Sequence, residues 1–242
     1  MKAIVLAGGL GTRLRPLTDT VPKCLVEVCG KPILEWWLDL LSRNGVTEFL
    51  INTYHLPELV EAFVAKKSQE YSLIPTIFRE QELLGSLGTL VANRAYFQNE
   101  QEFLVVYADV LTNLNLSELI AFHRSRHARL TIGLVRMPNP ESRGIVTIDD
   151  TGVVQSFIEK PKEPKSNLAN GGVYVMTPEV IPITQPRKSD ILDIGKHLLQ
   201  KTTPASNYYG LEFDCYLRDI GTLESLELAQ REWAALKAGK IA

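Results

Sequence analysis

A glycine-rich stretch, LAGGLGTRL at residues 6–14, directly follows the first apolar run of the chain. Glycines there let the backbone turn sharply and bring amide N–H groups close to an anion. The stretch matches neither the P-loop pattern nor the dinucleotide pattern G-x-G-x-x-G, because Leu14 stands at the third glycine. Pro16 disfavours a long helix at this point, so Arg13 would supply the charge for a bound phosphate. Taken alone, the stretch fits a plain glycine turn with a surface arginine equally well.

Two aspartates follow short apolar segments later in the chain. Asp109 ends the segment FLVVYAD, and Asp219 ends the segment CYLRD. Ligands of open α/β sheets bind at the carboxyl ends of the strands, so both carboxylates are candidates for a site. Taken singly, each aspartate also fits a helix cap or a turn.

The segments that carry these residues alternate between strand and helix patterns. KAIVLAG has the continuous apolar character of a buried strand, and ILEWWLDLLSRNG has the period of an amphipathic helix. The alternation repeats through FLINTY, LPELVEAFVAKK and FLVVYAD, which predicts parallel strands with helical crossovers. After about Asp109 the pattern changes to strand pairs, as in GIVTIDDTGVVQSFIEKP. Further helices are predicted at DILDIGKHLLQK and after Thr222 as N-cap.

Composition argues against several classes of protein. The 242 residues carry 26 basic and 28 acidic side chains, a net charge of -2 that indicates no nucleic-acid or membrane partner held by bulk charge. The three cysteines lack C-x-x-C spacing, which argues against a disulfide framework or a thiolate metal site. No signal peptide is recognisable, and no apolar run approaches the ~20 residues of a membrane span. We therefore expect a cytoplasmic protein.

The stretch GGLGTRLRPLTDTVPKCLVEV resembles the signature of the sugar-1-phosphate nucleotidyltransferases, which make nucleotide sugars. ELLGSLGTL, VVYADVLTNLNL, FIEKP, NGGVYVM and LRDIGTLESLELA are similar to further family elements in the same order. The resemblance covers nearly the whole chain. It implies an α/β fold with a Rossmann-like mixed, mostly parallel central sheet and helices on both faces. We expect one domain over residues 1–242, with a nucleotide-binding half at 1–110 and a sugar-phosphate-binding half at 111–242.

The resemblance also implies how the nucleotide is held. Arg13 would bind the β- and γ-phosphates and Lys23 the α-phosphate, while Asp109 and Asp219 would bind Mg²⁺. Catalytic roles fall on Arg13, Lys23 and Asp109. The implied nucleotide contacts are Leu6, Ala7, Gly8, Gly9, Gly11, Thr12, Arg13, Lys23, Glu80 and Gly85.

The second half of the family pattern implies a site for the sugar phosphate. Lys160 would bind the phosphate of the sugar 1-phosphate, and Glu159 and Asn170 would hydrogen-bond the sugar hydroxyls. Backbone groups of Gly144 and Gly171 would lie nearby. The expected partners are therefore a nucleoside triphosphate and a sugar 1-phosphate, and the sequence is compatible with a homo-oligomer without specifying one.

The base and the sugar are less constrained. Glu80 and Glu82 precede the base-loop glycine Gly85, and a carboxylate can accept both adjacent donors of a guanine edge. GTP is therefore favoured, although a shift of register by one residue, onto Gln81, would favour a pyrimidine. The short form without a C-terminal β-helix resembles guanylyltransferases for mannose 1-phosphate and D-glycero-α-D-manno-heptose 1-phosphate. It also resembles the uridylyltransferase for N-acetylmuramic acid 1-phosphate, and another hexose 1-phosphate stays open.

Other classes of protein fit the sequence less well. A non-catalytic regulatory subunit that binds nucleotide sugars is expected to lose Arg13, Lys23 or one of the aspartates, and all are present. A dinucleotide-dependent oxidoreductase predicts an acid at the end of the second strand, where Asn52 and Thr53 stand. A glycosyltransferase usually brings a D-x-D pair, which the segment YADVL lacks.

Overall fold

The computed structural model describes residues 1–183 and 190–239 and has a mixed α/β architecture, which confirms the predicted fold class. The chain divides into two compact units. The glycine-loop unit comprises residues 3–81, 107–114 and the described residues from 215 on. The hairpin unit comprises residues 1–2, 82–106 and the described residues of 115–214. Within the described ranges, every helix is too short or too polar to cross a membrane.

The glycine-loop unit is built on strands in the order β1, β4, β5, with β4 and β5 parallel. Their bounds are β1 Lys2–Leu6, β4 Glu48–Thr53 and β5 Ile74–Arg79. Helix α1, Ile33–Arg43, connects toward β4, and helix α2, Pro57–Glu70, connects β4 to β5. The apolar face of α1 is buried, with Trp37 and Leu41 at 1% and 0% exposure, as its helical period predicts.

Two small antiparallel pairs and one helix complete the glycine-loop unit. The pairs are β2 Glu27–Val28 with β3 Lys31–Pro32, and β7 Val110–Thr112 with β13 Leu217–Asp219. Helix α6, Leu223–Lys237, follows β13. The Thr222 side chain accepts a hydrogen bond from the backbone N–H of Ser225, which confirms Thr222 as the N-cap.

The hairpin unit carries a group of mostly antiparallel strands. Its strands are β6 Phe103–Tyr107, β8 Leu130–Arg136, β9 Gly144–Ile148, β10 Val154–Glu159, β11 Leu168–Met176 and β12 Tyr208–Glu212. Strand β11 pairs antiparallel with β6, β8 and β9, while β12 pairs parallel with β8. The hairpin of β9 and β10 turns at residues 149–152, where the sequence predicts it. The helices are α3 Ser86–Ala92, α4 Arg94–Phe97 and α5 Leu116–Ser125.

The helix predicted at residues 190–201 is replaced by a π-helical turn at Ile194–Leu198 and a 3₁₀ turn at Leu199–Lys201. Asp193 caps the π turn by accepting from the backbone N–H of Lys196. The helical spacing of DILDIGKHLLQK would place Ile191 on the same apolar face as Ile194, yet Ile191 is 56% exposed while Ile194 is fully buried. Helical structure in this segment is thus limited to these two short turns, and Asp193, directly before them, has an extended backbone conformation.

Candidate active site

The predicted phosphate loop leaves β1 at Leu6 and enters a single 3₁₀ turn, Thr12–Leu14. Gly11 precedes that turn with φ 63° and ψ 24°, a left-handed conformation that glycine adopts at little cost. No long helix follows, as Pro16 predicts. The side chains of Thr12 and Arg13 are exposed, and so is Gly9. The loop therefore presents backbone and a guanidinium to solvent.

A hydrogen bond from the buried Thr18 side chain holds the backbone of the glycine loop. The Thr18 hydroxyl donates to the Gly11 carbonyl over 2.8 Å, and the Thr18 side chain is only 1% exposed. His55 Nε2 lies 2.7 Å from the Thr18 carbonyl oxygen and donates to it when this nitrogen carries the proton. A methyl group at Gly11 would lie 2.9 Å from Thr18 Cγ2. Neither Thr18 nor His55 is among the residues that the sequence motifs predict for the site.

Glu80, the predicted base-binding acid, is buried at the end of β5 with 5% exposure. Its Oε1 atom accepts from Asn52 Nδ2 over 2.8 Å, and Asn52 Oδ1 accepts from the Ala7 N–H over 2.7 Å. Asn52 thus joins the start of the glycine loop to Glu80. Glu82, the second acid considered for the base, is exposed.

Lys23 and Asp109 form an ion pair, with Lys23 Nζ donating to Asp109 Oδ2. Their side chains are 11% and 25% exposed, so the pair is shielded from most of the solvent. The indole of buried Trp37 donates to the carbonyl of Val110 over 2.7 Å, which fixes the backbone directly after Asp109. Two residues predicted to act on the nucleotide are therefore in direct contact.

Asp219 reaches the same strand pair as Asp109. Asp219 lies opposite Val110 in the antiparallel pairing of β13 and β7, and the Ile220 N–H donates to the Asp109 carbonyl over 2.8 Å. A methyl group at Gly221 would lie 2.4 Å from Asp219 Oδ1 and 2.8 Å from Arg13 Nη2. The carboxylate of Asp219 and the guanidinium of Arg13 thus converge on one glycine.

The predicted metal ligands, Asp109 and Asp219, are brought together by adjacent short strands of one unit. Groups of three or more His, Cys, Asp or Glu side chains arranged for a metal are absent from residues 1–183 and 190–239. A set of two carboxylates suits Mg²⁺, which commonly binds through one or two carboxylates together with waters and substrate phosphates.

The hairpin unit brings Gly144 and Glu159 directly opposite each other in the pairing of β9 and β10. A methyl group at Gly144 would lie 2.9 Å from Glu159 Oε2, so the carboxylate rests against the glycine backbone. Burial raises the pKa of Glu159, and the negative charge of Asp193 raises it further. Lys160 follows with φ 48°, and its backbone N–H donates to the Arg143 carbonyl over 3.0 Å.

Asn170 and Gly171 lie in β11, where the pairing with β8 shifts register between Asn170 and Tyr174. Such a bulge redirects side chains and is common next to functional sites. Asn170 Nδ2 donates to the Tyr174 hydroxyl over 2.6 Å, and Asn170 Oδ1 accepts from the Gly172 N–H over 3.0 Å. The Asn170 carboxamide is therefore oriented by the bulge itself.

Gly85 lies against the backbone of Leu192, with a would-be methyl group 2.4 Å from the Leu192 carbonyl oxygen. Nearby, Ser86 donates to Asp193 Oδ2 over 3.1 Å. A methyl group at Gly195 would lie 2.9 Å from Glu159 Oε2 and 3.0 Å from Asp193 Oδ1. Both carboxylates therefore lie close to the backbone of Gly195. Asp193 is not predicted from the sequence, because the spacing of DILDIGKHLLQK indicates an amphipathic helix and no site.

Curated relatives are mannose-1-phosphate guanyltransferases. That of Eremothecium gossypii is 33% identical over 91% of this chain and 61% of its own length. The mannose-1-phosphate guanylyltransferase catalytic subunit beta of Danio rerio has the same identity and coverage. The chain thus spans about three fifths of the length of these relatives, 61% in each case.

Solved structures share the fold over almost the whole chain. HddC from Yersinia pseudotuberculosis, complexed with GMP-PN, has a TM-score of 0.78 at 25% identity and covers 96% of this chain and 99% of its own. A putative glucose-1-phosphate thymidylyltransferase from Bacillus anthracis has a TM-score of 0.84 at 24% identity, with 96% and 94% covered. A family model described as nucleotidyl transferase matches residues 2–235. The predicted family is confirmed: this chain belongs to the nucleotidyl transferase family.

Proposed function

We propose that this chain is a sugar-1-phosphate guanylyltransferase. It would condense GTP with mannose 1-phosphate or D-glycero-α-D-manno-heptose 1-phosphate, giving a GDP-sugar and pyrophosphate. The observation that carries the proposal is the glycine-loop unit, where Lys23 pairs with Asp109 while Arg13 and Asp219 converge on Gly221. Support also comes from the relatives, which are mannose-1-phosphate guanyltransferases.

The proposed reaction depends mainly on charge and position. A phosphate oxygen of the sugar 1-phosphate attacks the α-phosphorus of GTP, the new P–O bond forms, and pyrophosphate leaves. The nucleophile is already ionised, so little acid–base chemistry is needed. Lys23 would bind the α-phosphate, and Arg13 would bind the β- and γ-phosphates and neutralise the departing pyrophosphate.

Mg²⁺ fits the two carboxylates of Asp109 and Asp219, which lie on paired strands of one unit. When bound, the ion would supply positive charge against the phosphate oxygens. Both aspartates must be ionised to hold it.

Base choice is assigned to Glu80. A buried carboxylate held at the end of β5 would accept from N1–H and the exocyclic amine of guanine. The loop backbone would contact the phosphates, and the proposed nucleotide contacts are Leu6, Ala7, Gly8, Gly9, Gly11, Thr12 and Gly85. The alternative is a uridylyltransferase for N-acetylmuramic acid 1-phosphate or another hexose 1-phosphate, in which a shift of register by one residue would bring Gln81 to the pyrimidine edge.

Residues of the hairpin unit would bind the second substrate. Lys160 would hold the phosphate, and Glu159 and Asn170 would hydrogen-bond the sugar hydroxyls, with backbone of Gly144 and Gly171 beside them. We assign residues 1–110 mainly to the nucleotide and residues 111–242 mainly to the sugar phosphate. Both substrates are phosphorylated metabolites, which accords with the predicted cytoplasmic location.

The test is pyrophosphate release from each nucleoside triphosphate with a panel of sugar 1-phosphates and Mg²⁺. We expect release to be fastest with GTP and a manno-configured sugar. Asp109→Asn should lower turnover by a factor of about 100 or more, whereas Asp150→Asn, in the exposed turn between β9 and β10, should leave it unchanged. No release with any pair would refute the enzyme and favour the regulatory subunit, and a tenfold preference for UTP would refute the guanine assignment.

A further inference from the structure

Asn52 occupies a central place in the glycine-loop unit. It is the next-to-last residue of β4, which lies between β1 and β5 in the strand order. Its side chain is buried, with 4% exposure. Parallel strands of a sheet present their carboxyl ends at one edge, so a side chain there can reach the segments that leave both neighbours. Asn52 makes contacts on each side.

The two ends of the Asn52 carboxamide have different partners, and those partners fix its orientation. The Ala7 N–H is a donor, so it requires the oxygen of Asn52, and the two atoms are 2.7 Å apart. The Glu80 carboxylate is an acceptor when ionised, so it requires the nitrogen, at 2.8 Å. No other uncharged side chain of this size offers an acceptor and a donor in this arrangement.

Gly8 allows the approach of these groups. A methyl group at Gly8 would lie 2.6 Å from Asn52 Nδ2 and 3.6 Å from Glu80 Oε2. The second oxygen of Glu80 therefore lies on the side of the glycine loop, while the first is held by Asn52. Asn52 therefore contacts both the glycine loop and the carboxylate beside it.

We propose that Asn52 is a positioning residue that determines base selectivity by orienting Glu80. This inference rests on the proposed function, in which Glu80 reads the base. A carboxylate that accepts from a base must point its lone pairs in a fixed direction, and a donor held at one of its oxygens restricts its rotation. Asn52 supplies that donor and ties it to the loop that would hold the phosphates.

The decisive variant is Asn52→Asp, which keeps an oxygen for the Ala7 N–H and replaces the donor to Glu80 with a second negative charge. Dissociation constants for GTP, ITP and UTP would be measured by calorimetry without a sugar substrate, so that the result does not depend on turnover. ITP lacks the exocyclic amine of guanine. The ratio of the largest to the smallest of these three dissociation constants should fall roughly tenfold or more in the variant. The dissociation constant for pyrophosphate should change less than about threefold. Asn99→Asp, at an exposed asparagine, serves as the control.

A double-mutant cycle tests whether Asn52 acts through Glu80. Glu80→Gln alone should lower selectivity, and Asn52→Asp added to it should cause no further loss. A further tenfold loss would overturn the inference, as would a folded Asn52→Asp protein with selectivity within about threefold of wild type. If Asn52→Asp does not fold, Asn52→Ser is judged by the same criteria. The nucleotide that binds wild type best tests the base assignment separately, because the inference concerns only the change that Asn52 causes.

Discussion

Substitution of Gly221 tests the roles proposed for Asp219 and Arg13, whose charged groups both lie close to this glycine. In Gly221→Ala, the new methyl group would lie 2.4 Å from Asp219 Oδ1 and 2.8 Å from Arg13 Nη2. Ordinary contacts begin at 3.4 Å, so the carboxylate must give way by about 1 Å. Arg13 is exposed and can swing aside, whereas Asp219 is a short side chain on a paired strand.

The size of the effect follows from this displacement. Misplacing a catalytic group by about 1 Å lowers rates by about 100-fold. The added methyl group also overpacks the site, which costs about 1–3 kcal/mol of the free energy of unfolding. We therefore expect kcat/KM to fall about 100-fold and the Mg²⁺ concentration for half-maximal rate to rise, while the protein stays folded at 25 °C.

The assay is pyrophosphate release with GTP and the best sugar 1-phosphate, at a series of Mg²⁺ concentrations. The matched control is Gly45→Ala. Gly45 has φ 71° and nothing within 4 Å of a would-be methyl group, so alanine there costs about 1 kcal/mol through backbone strain alone. That variant should lose some stability and keep its activity. A Gly221→Ala protein with kcat/KM within about threefold of wild type, and an unchanged Mg²⁺ dependence, would refute the role given to Asp219.

Three further predictions concern charge and stability. Lys23→Met should lower kcat more than it raises KM for GTP, measured by steady-state kinetics, because its proposed contact strengthens as charge develops; an unchanged kcat would contradict it. Because the folded-state pKa of Glu159 is raised, wild type should lose affinity for the sugar phosphate on acidification at a pH above the ordinary carboxyl range. Glu159→Gln should not show this loss, and identical pH profiles for variant and wild type would exclude this role. Burial lowers the pKa of His123 to about 4, so the unfolded chain binds protons more readily between pH 6.5 and 4. Between pH 7 and pH 5, the free energy of unfolding in urea should fall about 2 kcal/mol more for wild type than for His123→Gln. Equal decreases in the two proteins would disprove the prediction.

Several elements of the fold are determined by local sequence patterns and could therefore be predicted from the sequence. Helix α1 and its buried face follow from hydrophobic period alone. The Thr222 cap follows from residue type. The helix predicted over residues 190–201 differs from the structure, because its apolar spacing suits an α-helix. Hydrogen bonds that join Leu192 and Asp193 to the segment around Ser86 accompany a π turn and a 3₁₀ turn there instead. Such contacts between distant segments leave no trace in local periodicity.

The same limit applies to the candidate site. Asp109 and Asp219 are predicted from their places after apolar segments and Arg13 from the glycine stretch, whereas the rest of the set comes from the resemblance. Asn52 was noticed only as the residue that a dinucleotide enzyme would not have there. Its bonds to Ala7 and Glu80 span 45 and 28 residues of sequence, so only the assembled sheet brings these groups together.

The ion pair of Lys23 and Asp109 has a consequence for how substrates would enter. Each member neutralises the other, so neither charge is left uncompensated in a shielded place. On the proposed function, a magnesium-bound triphosphate would arrive as a matched cation and anion and exchange partners with the pair. Binding would then be an exchange of ions, in which the number of ionic contacts stays the same. Selectivity would come from the geometry with which the new partners fit.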